Sequence, residues 1–155
     1  MAQDTTDHVL AQLVRLVNGS SMEFSLTLMV NGQTITGTLI ASKKWFELQA
    51  GNIKSAAQPE EGELGLHSIF ENWADITGKY NDELKQAKSA LRDVELPDRF
   101  QDAVDEAEID IMYVHLAGAR VDGPNGFQPV EGMPWRGRLD HVSGWSIGEL
   151  QTAKN

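Results

Sequence analysis

The chain has no cysteine among its 155 residues. That absence excludes disulfide bonds, thiolate-bound zinc, iron–sulfur clusters and a cysteine nucleophile. It agrees with a reducing compartment, and we expect a cytoplasmic protein. A chain of this length can bury a sizeable core without cross-links, so we predict a single domain spanning 1–155.

Long apolar runs are also missing. No window approaches the roughly 20 apolar residues that a membrane-spanning helix requires. The first ten residues, MAQDTTDHVL, have no basic segment leading into an apolar one, which a secretory signal would need. We therefore expect no membrane span and no export.

Positive charge is scarce, with 13 Lys and Arg against 23 Asp and Glu and a net charge of -10. Such a chain repels polyanions and offers few cations to replace the counterions of a nucleic-acid backbone. The basic residues are also scattered and form no stripe. We expect no nucleic-acid partner.

Motifs that carry catalysis or bind cofactors are absent, including G-x-S-x-G, H-E-x-x-H, a P-loop and a dinucleotide fingerprint. Five carboxylates in 98–108 lack the calcium-loop pattern and predict a solvated acidic face. We predict no enzymatic activity, no cofactor and no metal site. An enzyme would need His115, His141 and a carboxylate in one deep pocket. The four histidines, which show no ligand-like spacing, are His8, His67, His115 and His141.

The clearest local signal in the chain is a β-hairpin over 23–41. Two runs rich in β-branched residues, 23–30 and 33–41, flank Asn31-Gly32, the pair best suited to the two positive-φ positions of a type I′ turn. Placing this pair in the turn determines every pairing across the hairpin. The predicted pairs are Leu28 with Ile35, Leu26 with Gly37 and Phe24 with Leu39 on the apolar side, and Thr27 with Thr36 and Ser25 with Thr38 on the other.

Two segments have helical periodicity. The first, 7–17, begins at Thr5-Thr6-Asp7, whose hydroxyl or carboxylate groups can cap it, and stops at Asn18-Gly19. The second begins at Ser68, where S-x-x-E matches a capping box, and ends before Pro97. A 25-residue helix is roughly 37 Å long, more than one small sheet covers. Its stripe therefore either meets another subunit or protein, or packs wholly within its own fold. The stripe consists of Ile69, Trp73, Ile76, Tyr80, Leu84, Ala87 and Leu91.

The segments around the long helix are less distinct. The pattern of 45–53 fits a third strand or a short helix, and the helix suits it slightly better. The segment 55–65 contains Pro, Gly and three glutamates without periodicity, which predicts a surface loop. We assign 45–97 to a helical insertion with an acidic loop.

Three more strands, 109–117, 134–139 and 145–150, follow in the region 109–150. The segment 117–128, rich in glycine and turn residues, is predicted to be a connection. His115 lies inside the first of these strands and is predicted to be a buried, hydrogen-bonded residue.

The predicted fold class is α+β. We expect a small, strongly bent, five-stranded antiparallel sheet or barrel, with an N-terminal helix and a helical insertion between strands 2 and 3. Glycines within strands, such as Gly37, Gly137 and Gly148, permit the bend. An initial helix followed by five bent strands resembles the Sm-like and SH3-like small barrels.

Three segments together resemble the gas vesicle accessory protein U family (GvpU). They are FSLTLMVNGQTITGTLIASKKWFE at 24–47, YVHLAGARV at 113–121 and WRGRLDHVSGWSIGEL at 135–150. The family has a hairpin of the form N-G-x-x-I-[ST]-G-x-[LM]-I-[AS], an aromatic pair, an I-H-L-type strand and a closing W-R-G-[KR]-[LI]-x-x-V-D-G-F-x-L-G. This chain has Ser143 where Asp is usual and Trp145 where Phe is usual. The order and spacing otherwise agree.

The resemblance implies a non-enzymatic accessory protein that helps gas vesicles to assemble or alters how they cluster. Its partners would be protein surfaces, such as the vesicle shell or other accessory proteins, and we expect a homo-oligomer. The alternative is an Sm-like or SH3-like interaction or oligomerisation module unrelated to gas vesicles. Trp135 beside Arg136 is the most plausible exposed contact, because Trp and Arg dominate interface hot spots. The interaction candidates are Trp135, Arg136, Arg138, Trp73, Tyr80 and Leu84.

Overall fold

The computed structural model describes residues 6–106 and 111–152. It is an α+β fold with one five-stranded antiparallel sheet, in the order β4-β3-β2-β1-β5. The first and last strand pairs therefore share one sheet, as predicted. The elements are α1 (His8–Asn18), β1 (Phe24–Val30), β2 (Gln33–Leu39), α2 (Ser42–Ala57), α3 (Leu66–Leu91), α4 (Asp98–Glu106), β3 (Tyr113–Gly123), β4 (Gly126–Arg138), a 3₁₀ turn (Leu139–His141) and β5 (Val142–Ile147).

The β1–β2 hairpin has the predicted turn and pairing. Asn31 and Gly32 have φ angles of 52° and 80°, as a type I′ turn requires. All five predicted cross-strand pairs are present. Leu26 and Leu28 are fully buried on the apolar face. The hairpin prediction is confirmed.

The sheet is bent but does not close into a barrel, so the barrel alternative is wrong. β4 and β5 form its two edges, separated by three strands. In a flat sheet they would lie about 19 Å apart. Yet Arg138 and Val142 are joined by only three residues, which span at most about 14 Å. The sheet must therefore curl at this end, while β5 pairs with β1 and leaves β4 unpaired on its outer side.

Helix α1 covers the apolar face of the sheet, and the predicted helix 7–17 is confirmed within one residue at each end. Asp7 is its N-cap, and its Oδ1 accepts hydrogen bonds from the backbone N–H groups of Val9 and Leu10 at 2.9 and 3.0 Å. Trp145 Nε1 donates to Asp7 Oδ2 at 3.0 Å, a bond that phenylalanine could not make. The core comprises Leu10, Ala11, Val14 and Val17 of α1 with Leu26, Leu28, Val30, Ile35, Leu39, Val114, Leu116, Ala119 and Leu139.

The insertion between β2 and β3 is helical, as predicted, although its boundaries differ. The segment 45–53 lies within the longer helix α2. α3 begins two residues before Ser68, so the proposed capping box is wrong. Gly65 is the N-cap, and its backbone N–H donates to Ser68 Oγ at 3.3 Å. α3 ends at Leu91, and part of the acidic segment 98–108 forms α4; residues 107–110 lie outside the described residues.

The prediction for the C-terminal strands was wrong in its boundaries. The segment 117–128 is largely strand, because β3 and β4 form a long hairpin closed by Pro124 and Asn125. Gly118, with a φ of 57°, lies where the pairing of β3 shifts, as at a bulge. β4 tolerates Pro129 and Pro134 because it is an edge strand, where a missing N–H costs little. β3 begins at 113, and the predicted strand residues 109–110 lie outside the described residues.

Candidate interaction surface

Helix α3 packs on α2 through small and polar residues and through the ring of Phe70. His67 and Ala74, two helical turns apart, are its buried residues. The side chain of Lys43 on α2 lies against Gly78, where an added Cβ would come within 2.7 Å of Lys43 Cδ. An ion pair between Lys54 and Glu71 also joins the two helices. α2 and α3 therefore approach closely where Ala74 and Gly78 face α2.

Several other large apolar residues of α3 remain exposed to solvent. Five of them are 45–56% exposed, although their spacing of three and four residues is that of a buried helix face. Trp73 and Tyr80, two of the predicted contact residues, belong to this row, whereas Leu84 is half-buried at its edge. The row is named the α3 stripe and comprises Leu66, Ile69, Trp73, Ile76 and Tyr80.

Aromatic rings connect the α3 stripe to the sheet. The ring of Trp73 lies 5.3 Å from that of Phe70 and 5.9 Å from that of Phe46. Trp45 then contacts Phe46 at 5.2 Å and His115 of β3 at 5.4 Å, centroid to centroid. Such edge-on and tilted ring pairs add to the stability that burial provides. The inner edge of Trp73 is therefore held firmly while its outer edge faces solvent.

The predicted contact residues of β4 do not form one surface, because alternate residues of a strand face opposite sides. Trp135 pairs with Leu116 and packs half-buried against the core. Its ring also lies over Gly137, where a Cβ would be only 2.1 Å from Trp135 Cη2. The prediction of Trp135 as an exposed contact is therefore not supported by its position.

Arg136 and Arg138 lie on the other side of β4 and are exposed. The Arg136 guanidinium stacks over the ring of Tyr113 at 3.8 Å and near those of Trp45 and Phe46 at 5.7 and 5.8 Å. Arg138 Nε donates to Asp140 Oδ1 at 2.9 Å. This pairing raises the pKa of Arg138 and lowers that of Asp140. The two arginines are thus held in place at the edge of the sheet.

His115 is buried beside this edge, as the sequence predicted. Burial, with a smaller effect from the nearby charge of Arg136, lowers its pKa to about 3, so the imidazole is neutral. Ser42 Oγ donates to Asn18 Oδ1 at 3.1 Å and lies 3.4 Å from His115 Nδ1, an arrangement that favours the Nδ1–H tautomer. Within the described residues, Nε2 has no hydrogen-bond partner.

A cavity of about 240 Å³ adjoins His115 and Arg136, and no carboxylate lines it among the described residues. His141 lies elsewhere, on the 3₁₀ turn, with its Nε2 4.0 Å from Asp140 Oδ1. The two histidines and a carboxylate are therefore not brought into one pocket. In the described part of the chain, no cluster of three metal-binding side chains occurs, and no helix is long and apolar enough to cross a membrane.

The family model described as gas vesicle protein GvpU-like matches residues 7–150. The chain belongs to this family. The match spans the first helix, the whole sheet and the helical insertion, and it confirms the resemblance drawn from the hairpin and the closing strands. Comparisons with curated proteins and with solved structures give no match. GvpU-like membership places the chain among gas vesicle-related accessory proteins.

Sequence reasoning missed two features of the α3 stripe and its surroundings. Leu66 extends the α3 stripe by one turn, and its position three residues before Ile69 was the available signal. The contacts of Phe46 and Phe70 with Trp73 depend on how α2 docks on α3, which no periodicity specifies.

Proposed function

We propose that this GvpU-like protein is a non-enzymatic accessory factor that acts in gas vesicle assembly or clustering by binding other proteins. The observation that carries the proposal is the α3 stripe. Five large apolar side chains lie in one exposed row, and contiguous apolar surface of this kind is typical of protein contact sites. Trp73 and Tyr80, within the row, are residue types enriched in interface hot spots.

The surroundings of the histidines support a role without catalysis. General acid–base chemistry needs a titratable group that lies within reach of a substrate and has a pKa near the working pH. His115 is buried and neutral, and the cavity beside it has no carboxylate among the described residues. His141 lies beside Asp140 on an exposed turn. The Asp140 carboxylate lies 4.0 Å from His141 Nε2, beyond hydrogen-bond distance, and is hydrogen-bonded to Arg138 instead.

We also propose that the open sheet is a relative of the Sm-like small β folds. The N-terminal helix on the apolar face and the neighbouring order β4-β3-β2-β1-β5 support this relation. A shared fold does not carry a shared function. The net charge of -10 favours a protein partner over nucleic acid.

Co-flotation with purified gas vesicles tests the proposal. We expect the wild-type protein to float with the vesicles and Arg136→Ser/Arg138→Ser or Ile76→Ser to float less, since these changes remove exposed contacts without opening the core. Gln86→Ser, an exposed change elsewhere on α3, is the matched control and should float like wild type. Failure of the wild-type protein to float at any vesicle concentration would refute the vesicle role.

A further inference from the structure

We propose that the α3 stripe binds the same stripe of a second copy of this chain, with the two α3 helices antiparallel. This deepens the proposed function by naming one partner of the surface, and it rests on that function only for its biological setting. It is tested on the purified protein alone, so its failure is distinguishable from failure to bind vesicles.

The spacing of the α3 stripe is the first argument for a second copy. From Ile69 through Trp73 and Ile76 to Tyr80, the intervals are four, three and four residues, the same in either direction. A two-fold axis between residues 74 and 75 therefore superposes these four residues on themselves, while Leu66 at the end of the stripe lies level with Glu83 of the other copy. Trp73 of one copy then lies level with Ile76 of the other, and Ile69 with Tyr80, each pair occurring twice. Such self-complementarity is what an isologous dimer requires.

The geometry of the row suits a helix as its partner. Apolar residues at alternating intervals of three and four form the seam by which two helices interlock side chains. The row from Ile69 to Tyr80 is roughly 16 Å long, or three helical turns. α3 has 26 residues, so the helix continues beyond both ends of this row. The seam can thus form without any change in the fold of either copy.

The exposed area is also sufficient for a dimer. The four paired side chains, each 45–56% exposed, present roughly 500 Å² per copy. A pair of copies would bury about 1,000 Å², the lower bound for a specific interface. Contacts of that size give modest affinity, so we expect the dimer to form at micromolar concentrations and to dissociate on dilution.

Charge determines how this dimer responds to salt. Each copy carries a net charge of -10, and the two copies repel. Near the stripe, Lys79 Nζ lies 3.9 Å from Glu83 Oε1 of its own helix. Salt screens the repulsion while leaving the apolar contact intact. Dimerisation should therefore strengthen as ionic strength rises, the opposite of what pairing between oppositely charged surfaces would show.

Sedimentation equilibrium of the full chain, at low and high salt, tests the proposal. We expect a monomer–dimer equilibrium in the wild type, and a dissociation constant raised about 100-fold or more in Ile76→Glu, because each copy would bury an unpaired carboxylate in the seam. Gln86→Glu adds the same charge on the same helix outside the stripe and should dimerise nearly as the wild type does. Circular dichroism checks that each variant retains its fold.

A mixing experiment tests the antiparallel arrangement and does not depend on a loss of binding. Trp73→Lys and Ile76→Glu should each fail to self-associate, yet their equimolar mixture should form a heterodimer. In the antiparallel pair, the introduced lysine and the introduced glutamate face each other once, and the intact Ile76 faces the intact Trp73 once. In a parallel pair each introduced charge would face an apolar residue. A wild type that stays monomeric, a dimer unaffected by Ile76→Glu, or no heterodimer in the mixture would each overturn the proposal.

Discussion

The β1–β2 hairpin and helix α3 both carry regular apolar patterns, but only the hairpin buries its own. Leu26 and Leu28 are fully buried beneath α1, whereas Ile76 and Tyr80 of α3 are more than half exposed. The difference shows that periodicity predicts the type of element and the face on which apolar residues lie. It does not predict whether that face is covered by the same chain.

The reason lies in what each element has available to pack against. The apolar face of the hairpin meets α1 and the other strands of a curled sheet, which surround it. α3 packs on α2, and the contact uses Ala74, the gap at Gly78 and the rings of Phe70 and Trp73 against Phe46. Ile69, Ile76 and Tyr80 lie outside this contact and remain exposed.

The largest expected effect on stability comes from creating a cavity in the core under the hairpin. Leu28→Ala should lower the free energy of unfolding by about 2–5 kcal/mol, because the lost side chain leaves a cavity in a fully buried position. Ile76→Ala, at an exposed position, should change the stability of the dilute monomer by no more than about 0.5 kcal/mol. Urea unfolding at low protein concentration measures both. Equal losses for the two variants would contradict the contrast between the regions.

A smaller loss of stability is expected when a side chain is added where β2 and β3 lie close together. In Gly37→Ala, the added Cβ would lie 3.0 Å from Ala117 O and 3.1 Å from Ala119 Cα, both backbone atoms that cannot rotate away. We expect destabilisation of about 1–3 kcal/mol. Thermal unfolding followed by circular dichroism measures it. An unchanged melting temperature would mean that β2 and β3 separate easily at this point.

The third expected effect is a pH dependence of stability that comes from His115, which lies between the sheet and the insertion. The pKa of His115 falls from its ordinary value of 6.5 to about 3 in the folded protein, mainly through burial. Below about pH 6.5 the unfolded chain binds a proton that the native chain does not, so this residue makes stability fall with decreasing pH down to about pH 3.

Replacing His115 with Gln should remove this contribution, which approaches about 1.4 kcal/mol per pH unit within that window. Stability curves of wild type and His115→Gln, measured by urea unfolding at intervals from pH 7 to pH 4, give the difference in slope. Carboxylates titrate in both proteins, so the difference isolates the histidine. Parallel curves would show that His115 is accessible to protons in the folded state.

The smallest expected effect is a gain in stability, from a substitution in the helical insertion. Gly51 lies in the exposed part of α2, and a Cβ added there would meet no atom within 4 Å. Gly51→Ala should therefore stabilise the protein by about 0.5–1 kcal/mol through the better helix propensity of alanine. Chemical unfolding of this variant beside Gly37→Ala provides the comparison. Destabilisation by Gly51→Ala would indicate a contact at α2 that the monomer lacks.

The candidate surface was partly predictable from the sequence. The spacing of Trp73 and Tyr80 indicated one face of a long helix, and both lie on the exposed α3 stripe. The grouping of Trp135 with Arg136 was wrong, because neighbouring residues of a strand face opposite sides and Trp135 packs against the core. The exposure of a tryptophan depends on which face of its strand is covered, and its sequence neighbours do not specify that.

The sequence by itself determined what local physical chemistry controls. Asn31-Gly32 specified the turn and hence each pair of the hairpin, because positive φ angles depend on adjacent residues. The capping residues Thr5-Thr6-Asp7 indicated where α1 begins, and the structure shows Asp7 as the cap. Only the tertiary structure decided that β5 joins β1, that the sheet stays open and that the α3 stripe faces solvent. Those outcomes depend on contacts between segments far apart in the chain. Several segments could pack on the same surface, and the local sequence pattern does not specify which of them does.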